Sequence, residues 1–558
     1  MKHSLSFAAL VLIACGAASP PPAAPPPRPV TITVIGTNDL HGHLRALPVL
    51  AGYLRILRGV RQEDGGLVLL DGGDMFQGTL ESNLAEGAPV IAAYGALGYD
   101  AATIGNHEFD YGPVGEASTP RSESDDPRGA LLARAREARF PLLSANLLTA
   151  EGAPIDWERV APSVLFERGG IGVGVIGVTT EHTLTTTNTA NVRDLRMAPL
   201  AAAIDREAAA LRARGADVVL VAAHAGGACE RFDDPRDLSS CDPSEEIFEV
   251  ARALPAGAVD AIVGGHTHAG VAHVVNEIPI IESYSYGRAF GRVDLMVDPE
   301  RGVIGSHVHP PRALCAEGSF NDGSCLPGSY EGREVALDEG IAELIAPALE
   351  HARAAQERPL GVTLEASVTA SYGEESPLGN LFTDLMRAAH PDADVAITNG
   401  GGLRADLPAG PLTYGALYQA SPFDNRFALV RMSVRELAAV LRENLAGTGG
   451  FFSVSGVRVE AACQGGALEV RVLDERGRPL PSGRELTVAM TDYLATSGEG
   501  AIGALPRDRV TTENQDVRDA MAAELVRHGG TLSPLAVYDP ANPRVRYAGA
   551  RPLTCASP

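Results

Sequence analysis

Between residues 30 and 300 one pattern recurs: a short apolar, β-favouring run that is continuous, not alternating, and then a polar loop. The runs span 31–36, 67–70, 102–104, 172–178, 217–222, 261–263 and 292–297. A strand with one face in water alternates, whereas a strand apolar throughout is covered on both faces, as in parallel sheets flanked by helices. Helical stretches such as 195–214 fall between some runs, so this half is expected to be α/β. Residues 310–335 are irregular and rich in Pro, Gly and Cys. A helical pattern over 336–358 (Ile341, Leu344, Ile345, Leu349) stops at Pro359, and α and β patterns mix again to the end. A chain of 558 residues has room for two or three domains. The expected division is 30–335, a connecting helix over 336–359, and a second, mixed α/β domain over 360–558.

Five runs end in motifs that bear chemistry. Thr37-Asn38-Asp39-Leu40-His41-Gly42 follows the first and Asp71-Gly72-Gly73-Asp74-Met75-Phe76-Gln77-Gly78 the second. Gly105-Asn106-His107-Glu108-Phe109-Asp110 follows the third. Ala223-His224-Ala225-Gly226 and Gly264-Gly265-His266-Thr267-His268 follow the runs at 217–222 and 261–263. The carboxyl ends of parallel strands face one crevice, so loops far apart in sequence can meet there. They bring Asp, Asn and His, a donor set suited to divalent transition metals. Singly each motif is weak: a lone His beside a strand is usually packed or solvated, and Gly-Asn is a turn. Together they are not, because five of the 14 His (His41, His107, His224, His266, His268) stand in this pattern.

The order D-x-H, G-D, G-N-H-E, H, G-H-x-H resembles that of the calcineurin-like metallophosphoesterases. The resemblance implies a β-sandwich flanked by helices. It also implies two divalent ions (Zn, Mn or Co) held ~3.5–4 Å apart, which clamp a phosphate ester and generate hydroxide near neutral pH. It assigns the anionic bridge between the ions to Asp74. Asp39, His41 and His268 complete one site, and Asn106, His224 and His266 the other. It also gives His107 a role on the scissile phosphate, with Asp110 orienting its ring and stabilising the imidazolium. The plain alternative for Asp110 is a cap on the following segment.

The second half resembles the C-terminal substrate-binding domain of the 5′-nucleotidase family, which includes bacterial UDP-sugar hydrolases and animal ecto-5′-nucleotidases. The matching runs are Glu375-Ser376-Pro377-Leu378-Gly379-Asn380-Leu381, Thr398-Asn399-Gly400-Gly401-Gly402-Leu403-Arg404, Ser421-Pro422-Phe423-Asp424-Asn425 and 492–500. The resemblance implies that Asn399 and Arg404 contact substrate, with Arg404 on phosphate. It sets Phe423 and Tyr493 on the two faces of a nucleobase and Glu499 near the nucleoside. Stacking of a base on an aromatic ring is worth ~1–3 kcal/mol, and a guanidinium fork matches phosphate. Core packing is the alternative for both rings. Two departures stand out. The family usually has one or two phosphate-gripping Arg before the Glu-x-x-x-Gly-Asn run, where this chain reads Ala370-Ser371-Tyr372-Gly373-Glu374-Glu375. Glu499 stands where the family has Asp.

The N-terminus reads as an address. Lys2 precedes an apolar stretch of about ten residues, too short for a bilayer span of ~20. It ends Leu12-Ile13-Ala14-Cys15, which resembles a bacterial lipobox. Residues 1–14 are then a signal peptide, and 15–29 a lipidated, Pro-rich spacer that holds the domains off a membrane. This predicts an exported protein, in the periplasm or at the cell surface, anchored by Cys15 to a membrane, the outer one by expectation. Six further Cys suit an oxidising compartment, and spacing favours Cys229–Cys241, Cys315–Cys325 and Cys463–Cys555. A Cys-rich metal site would want a close C-x-x-C pair, which is missing.

A net charge of −24 argues against a nucleic-acid polymer as partner but not against a small phosphorylated substrate met by local positive charge. The expected activity is release of phosphate from nucleoside 5′-phosphates, with cleavage of nucleoside diphosphate sugars as an extension, by a monomer or homodimer. The rivals are a 2′,3′-cyclic-nucleotide phosphodiesterase with 3′-nucleotidase activity, a thiosulfohydrolase of sulfur oxidation, and a non-catalytic binding lipoprotein. Relatives of the first rival commonly carry Asn where this chain has Asp110. Phe423 and Tyr493 count against the second, and the complete ligand set against the third.

Overall fold

Alternate residues of the continuous apolar runs serve two different cores. Ile32 and Val34 of strand Val30–Thr37 enter one core and Ile35 another. In Gly65–Asp71, Val68 and Leu70 oppose Leu67 and Leu69 in the same way. In Val218–His224, Val218, Leu220 and Ala222 oppose Val219, Val221 and Ala223. Little of either face is left for water, and a polar residue inside a run, such as Thr33, is buried and hydrogen-bonded, here to Asp294.

The computed structural model describes residues 28–115, 118–120, 122, 124–320, 323–496 and 500–555. The expected leader, Cys15 and Glu499 lie outside the described residues. The shared core lies between two sheets. One has seven strands, in the order Gly302–Ala313, Ala289–Asp298, Val30–Thr37, Gly65–Asp71, Ala101–Thr103, Leu142–Leu143 and Val160–Ala161. The other has six: Gly270–Val275, Ile278–Ser283, Ala261–Val263, Val218–His224, Ile171–Thr179 and Ser163–Arg168. Neighbouring strands run parallel through the middle of each sheet; both margins of the six-stranded sheet and the Gly302–Ala313 margin of the seven-stranded one are antiparallel, while the Val160–Ala161 margin is parallel. Helices Leu47–Val60, Ala88–Leu97 and Gly129–Glu137 pack on the outside of the first sheet, and Leu200–Ala213 and Glu246–Ala253 on the second. The result is a helix-flanked β-sandwich, and the five motifs are drawn from both of its sheets. The sheets approach closely beneath them: a Cβ on Gly36 would sit 2.6 Å from Val263 Cγ1.

The helix expected over 195–214 divides. Leu195–Met197 pairs as a strand with Leu147–Thr149, and the helix proper is Leu200–Ala213. Pro199 explains the break, since a residue before proline is driven out of the helical region. The connecting helix is Glu339–Gln356, capped by the Asp338 side chain, which accepts from the Ile341 amide. Its Ile341 and Ile345 belong to the first domain's outer core, and its Ala352 to a core of the second.

The second domain centres on a five-stranded sheet, ordered Phe452–Ser455, Val395–Asn399, Glu485–Thr491, Arg426–Ser433 and Val510–Asp516. Helices Pro377–Ala389 and Val517–His528 pack on one face and Val434–Ala446 on the other. Asn399 ends one strand, Phe423 precedes another, and Tyr493 follows a third, so the substrate-side candidates sit at strand ends.

The six described cysteines form Cys229–Cys241, Cys315–Cys325 and Cys463–Cys555, the pairing that spacing favoured. Such bonds fit an oxidising compartment outside the cytoplasm. Among the described residues no helix is long and apolar enough to cross a membrane. The third disulfide ties the tail to strand Arg458–Gln464 across 92 positions, and long closures restrict the unfolded chain most. Replacing Cys463 and Cys555 together by Ser is expected to lower the unfolding free energy by about 2–4 kcal/mol in denaturant titrations, with metal content unchanged.

Candidate active site

The motif loops meet in two clusters at one end of the sandwich. Asp39, His41 and His268 offer donor atoms within 4.8 Å of one another, and so do Asp74, His224 and His266. Asp74 joins the two: its Oδ2 lies 3.2 Å from His224 Nε2 and 3.7 Å from His41 Nε2.

Backbone conformation makes this convergence possible. Asp39, His41, Asp74, His266 and His268 all have left-handed φ, from +48° to +85°. Such residues cost about 1–3 kcal/mol each and persist only where the surroundings over-determine them. Buried carboxylates do this here. Glu108 accepts from the amides of Asp74, Met75 and Gly105 at 2.9, 2.7 and 2.7 Å. Burial, with the charge of Asp74, pushes Glu108 up to about 8. Glu282 likewise accepts from the Gly227 amide and the Thr267 hydroxyl. Gly105 is needed for space, since a Cβ there would lie 2.2 Å from Asp74 Oδ1.

The donor orientations fit metal ions. His41 Nδ1 faces the Gln77 carbonyl at 2.6 Å and His224 Nδ1 the Gly72 carbonyl at 2.8 Å, so both donate from Nδ1 and turn Nε2 inward. Inward, His41 Nε2 meets His268 Nε2 at 3.1 Å. His224 Nε2 meets Asn106 Oδ1 at 2.9 Å. The Asn106 amide nitrogen donates to the Thr186 carbonyl at 3.0 Å, which fixes its oxygen toward His224. Asp39 Oδ2 accepts from the Asn38 side chain and the His266 amide, while its buried Oδ1 takes no hydrogen bond. Divalent cations would satisfy these inward-facing nitrogen and oxygen atoms together. Burial alone would raise both carboxyls. The imidazole of His268 outweighs it at Asp39, held at about 2, and those of His224 and His107 at Asp74, held well below the usual range.

Beside the clusters, His107 Nδ1 donates to Asp110 Oδ2 at 2.6 Å, and the Thr187 hydroxyl donates to Asp110 Oδ1 at 2.6 Å. Burial lowers the His107 pKa, but the charges of Asp110 and Asp74 outweigh it and the net direction is up.

The second domain closes over this surface. Arg404 Nη2 reaches His107 Nε2 at 3.2 Å, and its guanidinium lies 5.3 Å from the centre of the Phe423 ring. Phe423 is 5.7 Å from the His107 ring. The Tyr493 hydroxyl donates to the Thr185 carbonyl at 2.9 Å, and Gln77 Nε2 to the Pro422 carbonyl at 2.8 Å. Buried Arg518 holds the loop that carries Phe423: it donates to the Ser421 and Phe423 carbonyls and pairs with Asp424. Between the domains lies a cavity of about 650 Å³ lined by Asp74, His107, Asn399, Arg404, Phe423 and Tyr493 among others. Tyr372, 60% exposed, lines it in the stretch where the family carries Arg. Glu375 turns away and accepts from the Arg544 and Val545 amides.

Every site residue singled out in the sequence, apart from Glu499, thus lines or adjoins one cleft. Glu108, Gln77 and Thr187 were not singled out. The first two stand inside the motifs, whereas Thr187 sits in a Thr-rich stretch with no motif to mark it.

Comparison with known proteins agrees with this arrangement. The calcineurin-like phosphoesterase family matches residues 32–270 and the 5′-nucleotidase C-terminal domain family residues 352–506. Protein UshA of Yersinia enterocolitica is 28% identical over 540 residues, covering 90% of this chain and 92% of its own. The fold is shared with a 5′-nucleotidase precursor from Thermus thermophilus (TM-score 0.69, 23% identity, covering 94% of this chain and 98% of that one). It is shared too with the sulfate thiohydrolase SoxB of Thermus thermophilus (TM-score 0.67, 16% identity, 96% and 99% covered). The chain is a metal-dependent phosphoester hydrolase that joins a calcineurin-like phosphoesterase domain to a 5′-nucleotidase C-terminal domain, the pairing it shares with its UshA and 5′-nucleotidase relatives.

Proposed function

We propose that this protein is an exported phosphohydrolase that releases phosphate from nucleoside 5′-phosphates, with nucleoside diphosphate sugars as further substrates. The observation that carries this reading is the reach of Arg404, from the second domain, to His107 beside the metal-ligand clusters, with Phe423 against both. In this reading Asp39, His41 and His268 would hold one divalent ion and Asn106, His224 and His266 the other, with Asp74 lying between the two groups. The domains divide at the connecting helix. Two ions, when bound, supply Lewis-acid polarisation of the phosphoryl group and a water-derived nucleophile near neutral pH.

The remaining work falls to the chain's own groups. His107, held by Asp110, presents Nε2 to the phosphoryl oxygens, and its raised pKa favours the cation that stabilises their growing charge. Arg404 adds a planar donor fork beside His107. Asn399, Phe423, Tyr493 and Glu499 receive the nucleoside. Lipidation of Cys15 tethers the mature protein to the membrane, as a monomer or homodimer.

Four outcomes test this reading. Released phosphate from a panel of 5′-, 3′- and cyclic nucleotides with Mn²⁺, Co²⁺ or Zn²⁺ is expected to be greatest for the 5′ esters. On that panel Phe423→Ala is expected to cut kcat/KM for nucleotides about tenfold or more, the worth of one stacked base, while sparing p-nitrophenyl phosphate. Equal losses would make Phe423 a packing residue. Asp74→Asn is expected to abolish turnover and lower the metal bound per chain in elemental analysis, because a neutral bridge leaves two dications unscreened. Cys15→Ser is expected to shift the protein from the detergent phase to the aqueous phase on partitioning.

A further inference from the structure

Asp110 is held on both oxygens. His107 Nδ1 takes Oδ2 and the hydroxyl of Thr187 takes Oδ1, each at 2.6 Å. Thr187 is 1% exposed, and Asp110 Oδ1 is the partner its hydroxyl finds. It follows the short helix Thr183–Thr186 in extended backbone, so its side chain is delivered by a fixed turn. The two residues before it are also engaged: the Thr186 carbonyl receives the Asn106 amide, and the Thr185 carbonyl receives the Tyr493 hydroxyl from the second domain.

We infer that Thr187 is a positioning residue for phosphoester cleavage: it fixes the rotation of the Asp110 carboxylate and, through it, the aim of the His107 ring at the phosphoryl group. A carboxylate with one free oxygen rotates about its Cβ–Cγ bond and lets the imidazole swing, whereas one held on both oxygens does not. A charge-assisted hydroxyl–carboxylate bond has the strength for this. The inference rests on the role proposed for His107 and Asp110 but not on a nucleotide substrate.

The test uses p-nitrophenyl phosphate, a base-free ester, so that failure of the nucleotide reading leaves it intact. Thr187→Val keeps the shape and removes the hydroxyl. It is expected to lower kcat about tenfold or more, the size of one charge-assisted hydrogen bond, with KM and metal content close to those of the parent. Thr187→Ser, which restores the donor, is expected to recover most of the rate. In an Asp110→Asn background the same Thr187→Val change is expected to cost less than about twofold, since residues that act through one another are not additive. Three results would overturn the inference: an unchanged kcat in Thr187→Val, no recovery with Ser, or an equal loss in both backgrounds. A loss of bound metal in Thr187→Val would also overturn it, because Thr187 would then act by supporting Asn106.

Discussion

Five of the seven candidate metal ligands sit in left-handed backbone, and this strain sets the terms for everything around them. At about 1–3 kcal/mol each, the loops would relax to ordinary turns if nothing held them. The sandwich holds their roots, since the strands beneath are buried on both faces and cannot slide without exposing one of two cores. Buried carboxylates hold their tips: Glu108 gathers amides from two motif loops, and Glu282 fastens the loop after Val218–His224 to the one after Ala261–Val263. The acidic side chains that shape the loops are therefore distinct from those aimed at the ions.

Much of this was legible in the sequence, for a physical reason. A strand buried on both faces writes itself as a continuous apolar run, and a ligand at its end must be Asp, Asn or His whatever surrounds it. The doubly buried strands, the convergence of their loops and the disulfide pairing follow from such local rules, whereas the sandwich, the split into two ligand clusters and the His107–Asp110 pair were implied by the family resemblance. Other features have no local signature. The division of the motifs between two sheets depends on strand pairings hundreds of positions apart, as between Val30–Thr37 and Ala289–Asp298. The break at Pro199 was visible in principle but was overridden by the apolar periodicity on either side. Thr187 escaped because a positioning hydroxyl can come from any loop that passes the carboxylate.

The two halves of the cleft obey different constraints. On the metal side, donors must approach within a few ångströms of fixed points, so residue types and spacing are tightly bound. On the substrate side, the requirement is a cationic fork and flat surfaces at roughly the right distance, which many arrangements satisfy. The departures lie there. Tyr372 stands exposed in the cavity, in the stretch where the resemblance leads one to expect Arg.

Charge ties the halves together. A chain of net charge −24 repels an anionic ester at long range, so attraction has to be generated within the cleft itself. Arg404 and His107 face each other there, one from each domain, at 3.2 Å. Two groups inclined to carry positive charge gain little from such closeness unless anions offset it, as Asp110 and Asp74 do for His107. A phosphoryl group entering beside them would turn a mildly repulsive pair into a two-sided clamp. Domain docking and substrate charge would then reinforce one another. Substrate charge would thus add to contacts that already join the domains, Gln77 on Pro422 and Tyr493 on Thr185.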